Sequence, residues 1–423
     1  MTEVADASTR GEGRAPVLTT PEAQDDPYPL YRELRAQCPV HRMPENGTYV
    51  LLDHADVREA ATDPERFSST RSGRSGAPAN ARAFNEVLNE RGWRKADTLQ
   101  RTDPPVHTRY RRLLARAFTP KRVGALTPLI DGVVESLLER IGPAGRCEFV
   151  SEFALPFPGI VIADQIGLDE SRYETFKRWA DAMLILAQRP TISEDEARGW
   201  AAIEAEAQHH LAELFEQRRA HPEDDLISVL VHAHVHDDDT PLTIEELQDL
   251  MHQLVTGGFE TTTSALSAGM LLLLQHPDEM QRLREDPTLV DAFVEEVLRF
   301  DSPVQGLWRT TTCPVEVGGV EIPQGATVQL RFAAANRDPA VFDDPDRFDL
   351  DRANAKEHVA FGMGPHFCIG AALARQEMRS AFTAILARLD DIELDGELPS
   401  PLHEPSVFLR PMAALPLRFR MVG

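Results

Sequence analysis

One cysteine in the sequence stands in a context that can bind a metal. Cys368 lies in the segment Phe361-Gly362-Met363-Gly364-Pro365-His366-Phe367-Cys368-Ile369-Gly370, directly before a helical pattern from Ala371 to Leu389. Free N–H groups at a helix N-terminus favour a thiolate over a thiol, and glycines let a flat ligand approach the backbone. A lone thiolate beside open space suits a metal whose other ligands come from elsewhere. A buried structural cysteine is the alternative interpretation.

The same segment resembles the haem-binding loop of the cytochrome P450 family. The family pattern F-G-x-G-x-H-x-C-x-G is matched at all six specified positions. The resemblance implies haem b as the cofactor, with the thiolate of Cys368 as the axial ligand of the iron. It also implies haem contacts from the other residues of the pattern, which are Phe361, Gly362, Gly364, His366 and Gly370.

Two basic residues follow Asp103-Pro104-Pro105 and have the spacing of one helix face. His107 and Arg111 are four residues apart, so on a helix their side chains are neighbours and can bind a pair of carboxylates. They match the H-x-x-x-R pattern of the family, which implies that they bind the haem propionates. By the same resemblance Arg309 and His366 are further propionate donors. A solvated basic helix is the alternative.

The region around these residues reverses the charge of the whole chain. The net charge is −24, yet Pro104 to Ile130 contains six Arg or Lys and no Asp or Glu. Such a patch can steer an acidic partner, and by resemblance this helix and the cysteine loop face the electron donor. The candidate docking residues are Arg112, Arg116, Lys121 and Arg122. A plain solvated face is equally compatible with each of them.

The longest helical pattern, Leu242 to Gln275, is weakest at its centre. The segment Gly257-Gly258-Phe259-Glu260-Thr261-Thr262-Thr263 combines two glycines, which favour helix poorly, with threonines that compete for backbone carbonyls. It resembles the family motif [AG]-G-x-[DE]-T. The resemblance implies that Gly257 and Gly258 let the haem approach, and that Glu260 and Thr261 relay protons to bound oxygen. A structural kink is the alternative.

Candidate substrate contacts come from three separate regions. Ser68 to Asp103 is the least regular part of the sequence, and by resemblance it roofs the substrate pocket. The candidates are Phe84, Trp93 and Leu99 in this region, Val304, Gln305 and Leu307 near residue 305, and Val407 and Phe408 at a hairpin tip. Local packing of a long loop is the alternative for the first three. These residues favour a hydrophobic substrate without identifying it.

A further motif, E-x-x-R, has a structural role in the family. Glu296 and Arg299 match it, and Arg347 is expected to complete the network. His232, His234 and His236 precede three aspartates, but without a third ligand of fixed spacing we interpret them as a polar helix end rather than a metal site.

Composition excludes several other classes of protein. The acidic net charge argues against nucleic-acid binding. No run approaches the roughly 18 apolar residues of a membrane span, and Met1 to Arg14 lacks a signal-peptide core. The other cysteines, Cys38, Cys147 and Cys313, show no CxxC or zinc spacing. We therefore expect a cytoplasmic protein of the soluble bacterial type.

Hydrophobic periodicity predicts a mostly helical fold with small β-sheets. Helices are predicted at Pro29–Ala36, Asp53–Ala61, Leu126–Ile141, Phe157–Ile166, Arg172–Leu186, Glu194–Arg219 and Val290–Phe300, besides the two named above. Strands are predicted at Val40–Met43, Thr48–Leu52, Val315–Val317, Val320–Ile322 and Thr327–Leu330. We expect a flexible tail at residues 1–26 and a single large domain at 27–423. The haem would lie between Leu242–Gln275 and Ala371–Leu389.

The resemblance implies a monooxygenase that inserts one atom of O2 into a hydrophobic small molecule. The chain has no flavin or iron–sulfur motif, so electrons would come from NAD(P)H through a separate ferredoxin and ferredoxin reductase. A peroxide-driven peroxygenase of the same fold is one alternative, although such relatives replace the acid–alcohol pair that Glu260 and Thr261 match. A haem protein that only senses or binds a ligand is the other alternative.

Overall fold

The longest helix begins at a capping box and is buried along most of its length. In the computed structural model, which describes residues 17–70, 78–168, 170–189, 191–233 and 240–422, this helix is Ile244–Gln275. The Thr243 hydroxyl accepts the Glu246 N–H at 3.2 Å, and the Glu246 carboxylate accepts the Thr243 N–H at 2.8 Å. The segment Gly257–Thr263 stays helical despite its poor propensity, because packing of the neighbouring turns supplies most of the stability.

Helices dominate the described residues, and the strands are short. The helices are α1 (Pro21–Asp25), α2 (Tyr28–Gln37), α3 (His54–Thr62), α4 (Ala79–Arg91), α5 (Val106–Ala115), α6 (Pro120–Ile141), α7 (Pro156–Gln165), α8 (Tyr173–Gln188), α9 (Glu194–Ala220), α10 (Leu226–Val231), α11 (Ile244–Gln275), α12 (Pro277–Glu285), α13 (Val290–Phe300), α14 (Phe332–Ala335) and α15 (Ala371–Arg388). The strands are β1 (Val40–Arg42), β2 (Tyr49–Leu51), β3 (Phe67–Ser68), β4 (Arg146–Glu148), β5 (Leu307–Thr311), β6 (Val315–Val317), β7 (Val320–Ile322), β8 (Thr327–Leu330), β9 (Leu389–Leu394) and β10 (Pro416–Met421). Across these described ranges, no helix combines the length and the apolar character that crossing a membrane requires.

The strands form three small sheets at the edges of the helical body. The largest has the order β1-β2-β8-β5-β3, in which β2 and β8 are parallel and the other neighbours are antiparallel. A second sheet has the order β4-β10-β9, and β6 pairs with β7 across the turn at Gly318-Gly319. The prediction of a mostly helical fold with small β-sheets is confirmed.

Helices α11, α13 and α15 pack into one core and fix the position of the site. A Cβ atom on Gly269 of α11 would lie 2.5 Å from the Phe382 ring of α15, so only glycine permits this approach. The Phe382 ring meets the Phe293 ring of α13 edge-to-face, with centroids 4.8 Å apart. These contacts hold α11 and α15 side by side, and both helices border the cavity at other positions.

The region predicted to be least regular contains a helix. Within Ser68–Asp103 the chain forms α4, whose Val87 and Leu88 pack against Ala201 and Ala205 of α9. The signal is present in the sequence as apolar residues four apart, followed by Gly92 at the helix end. Charged and small residues around it obscured the period. The roof of the predicted pocket is therefore partly a helix.

The first described residues pack against the rest of the chain. Leu18 is buried, and Thr20 caps α1 through its hydroxyl, which accepts the Ala23 N–H at 3.2 Å. The backbone carbonyl of Asp25 accepts a hydrogen bond from the Arg410 guanidinium at 2.6 Å. Residues 17–26 therefore belong to the folded domain and not to the predicted tail.

A buried ion cluster joins α13 to the segment before the cysteine loop. Both Glu296 oxygens accept from Arg299 at 2.7 Å, and neither side chain is exposed. The third side chain is Arg352, whose Nε lies 3.2 Å from Glu296, and not Arg347 as predicted. The Arg347 side chain is 64% exposed and pairs with Asp349, while its backbone carbonyl accepts from Arg299. Arg347 therefore contributes only its backbone to the network.

Candidate active site

The segment Phe361–Gly370 folds into a tight loop that presents Cys368. The Cys368 N–H donates to the carbonyl of Phe361 at 2.8 Å and closes the loop. Gly362 and Gly364 have φ of 67° and 65°, which disfavours any residue with a side chain. A Cβ atom on Gly364 would also lie 2.7 Å from the carbonyl oxygen of Ala61 in α3. Glycine is therefore required at position 364 both by conformation and by the close approach of α3.

The thiol of Cys368 lies just before the first turn of α15. Burial raises the pKa of this thiol, while the N–H groups of Gly370 and Ala371 and the positive charges of Arg111 and Arg375 oppose the increase. The net effect is a raised pKa, so the helix N-terminus alone does not supply the thiolate that the sequence predicts. Coordination to a metal ion deprotonates a thiol outright. The environment of Cys368 therefore suits a metal ligand better than a free thiolate.

A cavity of about 1660 Å³ separates the cysteine loop from α11. Cys368 and Leu373 border it on the side of α15, and Gly257 and Thr261 border it on the side of α11. A Cβ atom on Gly257 would meet nothing within 4 Å, so the backbone of α11 faces open space at this point. The location agrees with the predicted position between these two helices.

Four basic side chains meet at one edge of this cavity. The rings of His107 and His366 lie 4.3 Å apart, and Nε2 of the buried His107 has no hydrogen-bond partner. Burial and the charge of Arg309 lower the pKa of His366 to about 3, and burial lowers that of Arg309 to about 10. Neither Arg111 nor Arg309 forms an ion pair with any carboxylate of the described residues. The two arginines therefore bring positive charge to this edge of the cavity without an ion-pair partner among the described residues, while the two histidines are neutral at neutral pH.

These features fit a haem. The sulfur of Cys368 is available to the iron, and the open space beside Gly257 admits a flat ring. The two propionates would give the orphaned Nε2 of His107 and the buried guanidinium of Arg309 the carboxylate partners they lack. Gly364 does not border the cavity but shapes the loop against α3, so its contribution is structural.

In the segment of α11 with low helix propensity, Gly257–Thr263, threonine hydroxyls donate to backbone carbonyls of the same helix. The Thr261 hydroxyl donates to the Gly257 carbonyl at 2.6 Å, one turn earlier, while Thr261 also lines the cavity. Gly258 is needed for packing, because a Cβ atom there would lie 2.8 Å from Cδ1 of Ile162 in α7. Gly257 thus faces the cavity openly, whereas Gly258 faces both the cavity and α7.

The predicted partner of Thr261 is directed elsewhere. The Glu260 carboxylate accepts a hydrogen bond from the Gln188 amide of α8, and Glu260 is absent from the described residues that line the cavity. Burial raises the pKa of Glu260 to about 7, and its Oε2 has no partner. The structure therefore does not bring the two predicted catalytic side chains together on one face.

A second buried acid, Glu377, lines the cavity and was missed. It lies on α15 and accepts a hydrogen bond from the Thr262 hydroxyl at 3.3 Å, while its Oε1 has no partner. Burial raises the pKa of Glu377 to about 8, so the group is protonated at neutral pH. Its sequence position gave a signal, because Glu377 falls four residues after Leu373 and four before Ala381, on the apolar face of the helix.

Five of the eight predicted substrate contacts line the cavity, namely Leu99, Val304, Leu307, Val407 and Phe408. Phe84 instead packs between α4 and α9 in the core. The Trp93 ring contacts the His209 ring of α9, with centroids 5.0 Å apart. Gln305 accepts the hydroxyl of Tyr31 at 2.9 Å and is buried. These three predictions are wrong, because each side chain turns from the cavity to a partner that is distant in sequence.

The tip that carries Val407 and Phe408 is anchored from behind. The Val407 carbonyl accepts from the Arg331 guanidinium at 2.6 Å. Arg410, two residues after Phe408, forms an ion pair with the largely buried Asp301 carboxylate at 2.6 Å. Since Arg410 also binds the carbonyl of Asp25, both ends of the chain hold this part of the cavity wall.

The predicted docking residues come from the end of α5 and the start of α6. Arg112, Arg116 and Lys121 are exposed, whereas Arg122 forms an ion pair with Asp224 at 3.0 Å. Arg111 links this basic surface to the loop, because its guanidinium donates to the Phe367 carbonyl at 2.5 Å. Phe367, next to Cys368, is 40% exposed. An apolar side chain therefore lies on the basic surface, close to the metal ligand.

Of the histidine-rich segment, only His232 lies within the described residues. Nδ1 of His232 lies 2.9 Å from the carbonyl of Ser228 at the end of α10. His234, His236 and the aspartates at 237–239 lie outside the described residues. Elsewhere in the described chain, no group of three His, Cys, Asp or Glu could hold a metal ion.

Comparisons of sequence identify relatives that span nearly the whole chain. The family model for cytochrome P450 matches residues 75–416. The cytochrome P450 monooxygenase PikC of Streptomyces venezuelae is 37% identical over 403 residues, which cover 93% of this chain and 91% of that protein. The vitamin D(3) 25-hydroxylase of Pseudonocardia autotrophica is 35% identical over 400 residues, which cover 93% of each chain.

Solved structures give the same result. The structure of cytochrome P450 CYP109Q5 from Chondromyces apiculatus matches with a TM-score of 0.83 and 34% identity, covering 96% of this chain and 98% of the other. P450BioI, in complex with a hexadec-9Z-enoic acid ligated acyl carrier protein, matches with a TM-score of 0.84 and 30% identity, covering 94% and 99%. The chain therefore belongs to the cytochrome P450 family of monooxygenases, which hold haem through a cysteine thiolate, here that of Cys368.

Proposed function

We propose that this enzyme hydroxylates a hydrophobic small molecule, using O2 and electrons that reach it from NAD(P)H through a separate ferredoxin and ferredoxin reductase. The observation that carries the proposal is the cavity that Cys368 and Thr261 share, with apolar side chains over it. Relatives whose names state a reaction are hydroxylases of 6-deoxyerythronolide B and of vitamin D(3). Both names support hydroxylation of a large apolar molecule.

The haem, when bound, supplies the iron at which O2 is activated for transfer of one oxygen atom to the substrate. We assign its axial ligand to Cys368 and its propionates to the cluster of His107, Arg111, Arg309 and His366. The unpartnered Nε2 of His107 and the buried charge of Arg309 support this assignment. Phe361, Gly362 and Gly370 border the same cavity and would complete the loop that holds the haem.

Thr261 and Glu260 are the groups that we expect to handle protons. The Thr261 hydroxyl donates to the Gly257 carbonyl, which leaves its oxygen free to accept a hydrogen bond from the cavity side. The pKa of Glu260 of about 7 lets this carboxyl take up and release a proton near neutral pH. A direct relay requires the Glu260 carboxylate to exchange Gln188 for a partner on the cavity side. This exchange of partners is part of the proposal.

Substrate orientation depends on the apolar wall. Leu99, Leu307 and Phe408 border the cavity from three different parts of the chain, so they can hold an apolar molecule over Cys368. Orientation decides which carbon is oxidised, because the reacting atoms must be held close together before the reaction. The names of the relatives mention quite different molecules, so they support a substrate class and not one compound.

The basic surface is our proposed site for the ferredoxin. Arg112, Arg116 and Lys121 are exposed and can attract an acidic partner over a long range. Phe367 offers an apolar contact beside them, one residue from the metal ligand. Arg122 contributes less to docking, because Asp224 already neutralises its charge. The cytoplasmic location stays a prediction.

The first experiment is the carbon monoxide difference spectrum of the reduced protein, followed by turnover. We expect the strongly red-shifted Soret band of thiolate-bound haem, and product formation only with NAD(P)H, ferredoxin and reductase together. A peroxygenase would need peroxide alone, and a sensor would oxidise nothing. Absence of the red-shifted band would contradict the proposal at its first step.

The variant Cys368→Ser tests the ligand assignment directly. A serine hydroxyl is a poor iron ligand at neutral pH, so the thiolate-type spectrum is expected to disappear. The matched control is Cys313→Ser, which changes a partly exposed cysteine outside the cavity. A red-shifted band that persists in Cys368→Ser would refute the assignment.

A further inference from the structure

The charges that line the cavity differ from those of the whole chain. The chain has 68 Asp or Glu against 44 Lys or Arg. Among the described residues that line the cavity, however, six are Lys or Arg, and Glu377 is the only acid. Burial keeps Glu377 protonated at neutral pH, so the wall carries almost no negative charge. The cavity wall is therefore positively charged, although the whole chain is acidic.

Part of this positive charge is already explained. Arg111 and Arg309 belong to the cluster assigned to the haem propionates, and Arg122 forms its ion pair with Asp224. The remaining three cations are Arg94, Lys95 and Arg101. All three come from the connection between α4 and α5.

This connection is fixed to the first half of α11. The Gln100 N–H donates to Gln253 at 3.0 Å, and the Thr98 hydroxyl donates to Asp249 at 2.5 Å. His252, which lines the cavity beside them, precedes Thr261 by nine residues. Lys95 and His252 both contact Glu204, and at the helical rise per residue His252 lies about 13 Å along α11 from Thr261.

Two of the three cations, Lys95 and Arg101, are each paired with a buried acid. Glu204 is 2% exposed at its side chain, and its Oε1 lies 3.4 Å from Nζ of Lys95. Asp249 is 1% exposed at its side chain and lies 3.9 Å from Arg101. Neither acid borders the cavity in the described chain, so both act on the far side of the wall. Burial opposes ionisation of Glu204, yet Lys95 and His252 hold its pKa at about 2.

One positive charge remains without a counter-ion. Arg94 is exposed at the cavity wall and forms no ion pair within the described part of the chain. Three cations against two acids leave an excess of one charge, at a point where the wall meets solvent. Apolar residues, including Leu99 and Leu184, line the cavity near this point. This part of the cavity wall therefore combines a group of cations with neighbouring apolar side chains.

We propose that Arg94, Lys95 and Arg101 bind an anionic end group of the substrate, a carboxylate or a phosphate. The substrate is then an elongated, mainly apolar molecule whose anionic end lies on the side of the cavity where His252 is found, about 13 Å along α11 from Thr261. This inference rests on the proposed function, because it concerns the molecule that the same cavity oxidises. Guanidinium groups bind both anions through paired hydrogen bonds.

The test measures binding of four probes with the same alkyl chain to the haem-loaded protein. The probes are dodecanoic acid, dodecyl phosphate, methyl dodecanoate and dodecyltrimethylammonium, and binding is followed by calorimetry and by the Soret band. At least one anion is expected to bind about tenfold more tightly than the ester, as one charge-assisted contact predicts. The tighter of the two anions identifies the head group. High salt should weaken the anion only.

The variant Arg94→Gln is the most direct change, because this side chain has no ion pair whose loss would disturb the fold. We expect it to weaken anion binding about tenfold and to leave ester binding unchanged. Arg91→Gln is the matched control, since Arg91 is exposed, lies three residues earlier and does not line the cavity. Adding Arg101→Gln should remove the remaining preference.

Equal binding of acid, phosphate and ester would overturn the inference, as would tighter binding of the ammonium probe. An anion preference that survives Arg94→Gln with Arg101→Gln would also overturn it. The carbon monoxide spectrum of the same samples separates this failure from that of the proposed function. A red-shifted band without an anion preference contradicts only the anion site, whereas absence of the band contradicts the haem-thiolate enzyme itself.

Discussion

The buried cluster around Glu296 predicts very different effects for two arginines that lie five residues apart. The Arg352 side chain is 5% exposed and donates to Glu296 and to the carbonyls of Asp343, Asp344 and Arg347, at 2.7–3.2 Å. Replacement by glutamine removes a charge from a buried ion cluster and leaves several acceptors without donors. Breaking such a cluster costs about 3–5 kcal/mol, against a total stability of about 5–15 kcal/mol.

Arg347→Gln is the matched control, because it removes the same charge from the same segment. Its side chain is 64% exposed and contacts Asp349 at the surface, so we expect almost no change in the free energy of unfolding. Its backbone carbonyl, which accepts from Arg299, is unaffected by the substitution. A third variant, Arg352→Lys, keeps the charge but loses the forked geometry, and an intermediate loss is expected.

Urea unfolding of the three variants and the parent protein, followed by far-UV circular dichroism and by the Soret band, measures these effects. The Arg352→Gln midpoint should fall well below the others, with an early loss of the haem signal, since the cluster supports the segment before the cysteine loop. Equal midpoints for Arg352→Gln and Arg347→Gln would refute the assignment of Arg352 as the third member of the cluster.

Two further variants test the cavity. Thr261→Ala should still consume NAD(P)H but release more peroxide and less product, because the hydroxyl that positions protons is lost. Thr261→Ser, which keeps a hydroxyl, is the control. An unchanged ratio of product formed to NAD(P)H consumed in Thr261→Ala would count against the relay. Glu377→Gln should flatten the pH dependence of stability. In the parent the folded-state pKa of Glu377 is raised from 4.5 to about 8, so the contribution of this group to the free energy of unfolding is complete below pH 4.5 and is lost as the pH rises to about 8. An equally steep fall in the variant would exclude Glu377 as its source.

The residues of the cysteine loop could be predicted from sequence because their constraints are local. Glycines at positions 362 and 364 are fixed by positive φ, and the loop ends where α15 begins. The same holds for the capping box of Thr243 and Glu246, which marks the start of α11. In each case the residues that interact are close in sequence, so spacing is sufficient.

The predictions that failed depend on which way a side chain turns. Arg347 and Arg352 occupy the same irregular segment, and only the folded structure selects the one that reaches Glu296. Phe84 and Trp93 are large apolar residues in the expected region, but both side chains contact α9 and neither lines the cavity. Spacing along one element predicts neighbours on that element and not contacts across elements.

The link between the two ends of the chain has a practical consequence for engineering this enzyme. Asp25, near the start of the described chain, binds Arg410, and Arg410 binds Asp301 behind the tip that carries Phe408. A mutant library confined to cavity-lining positions would therefore omit residues that set where the tip lies. An affinity tag or truncation that perturbs residues 17–26 would therefore change the regioselectivity of the enzyme as well as the yield of protein. Such a screen should keep this part of the chain constant.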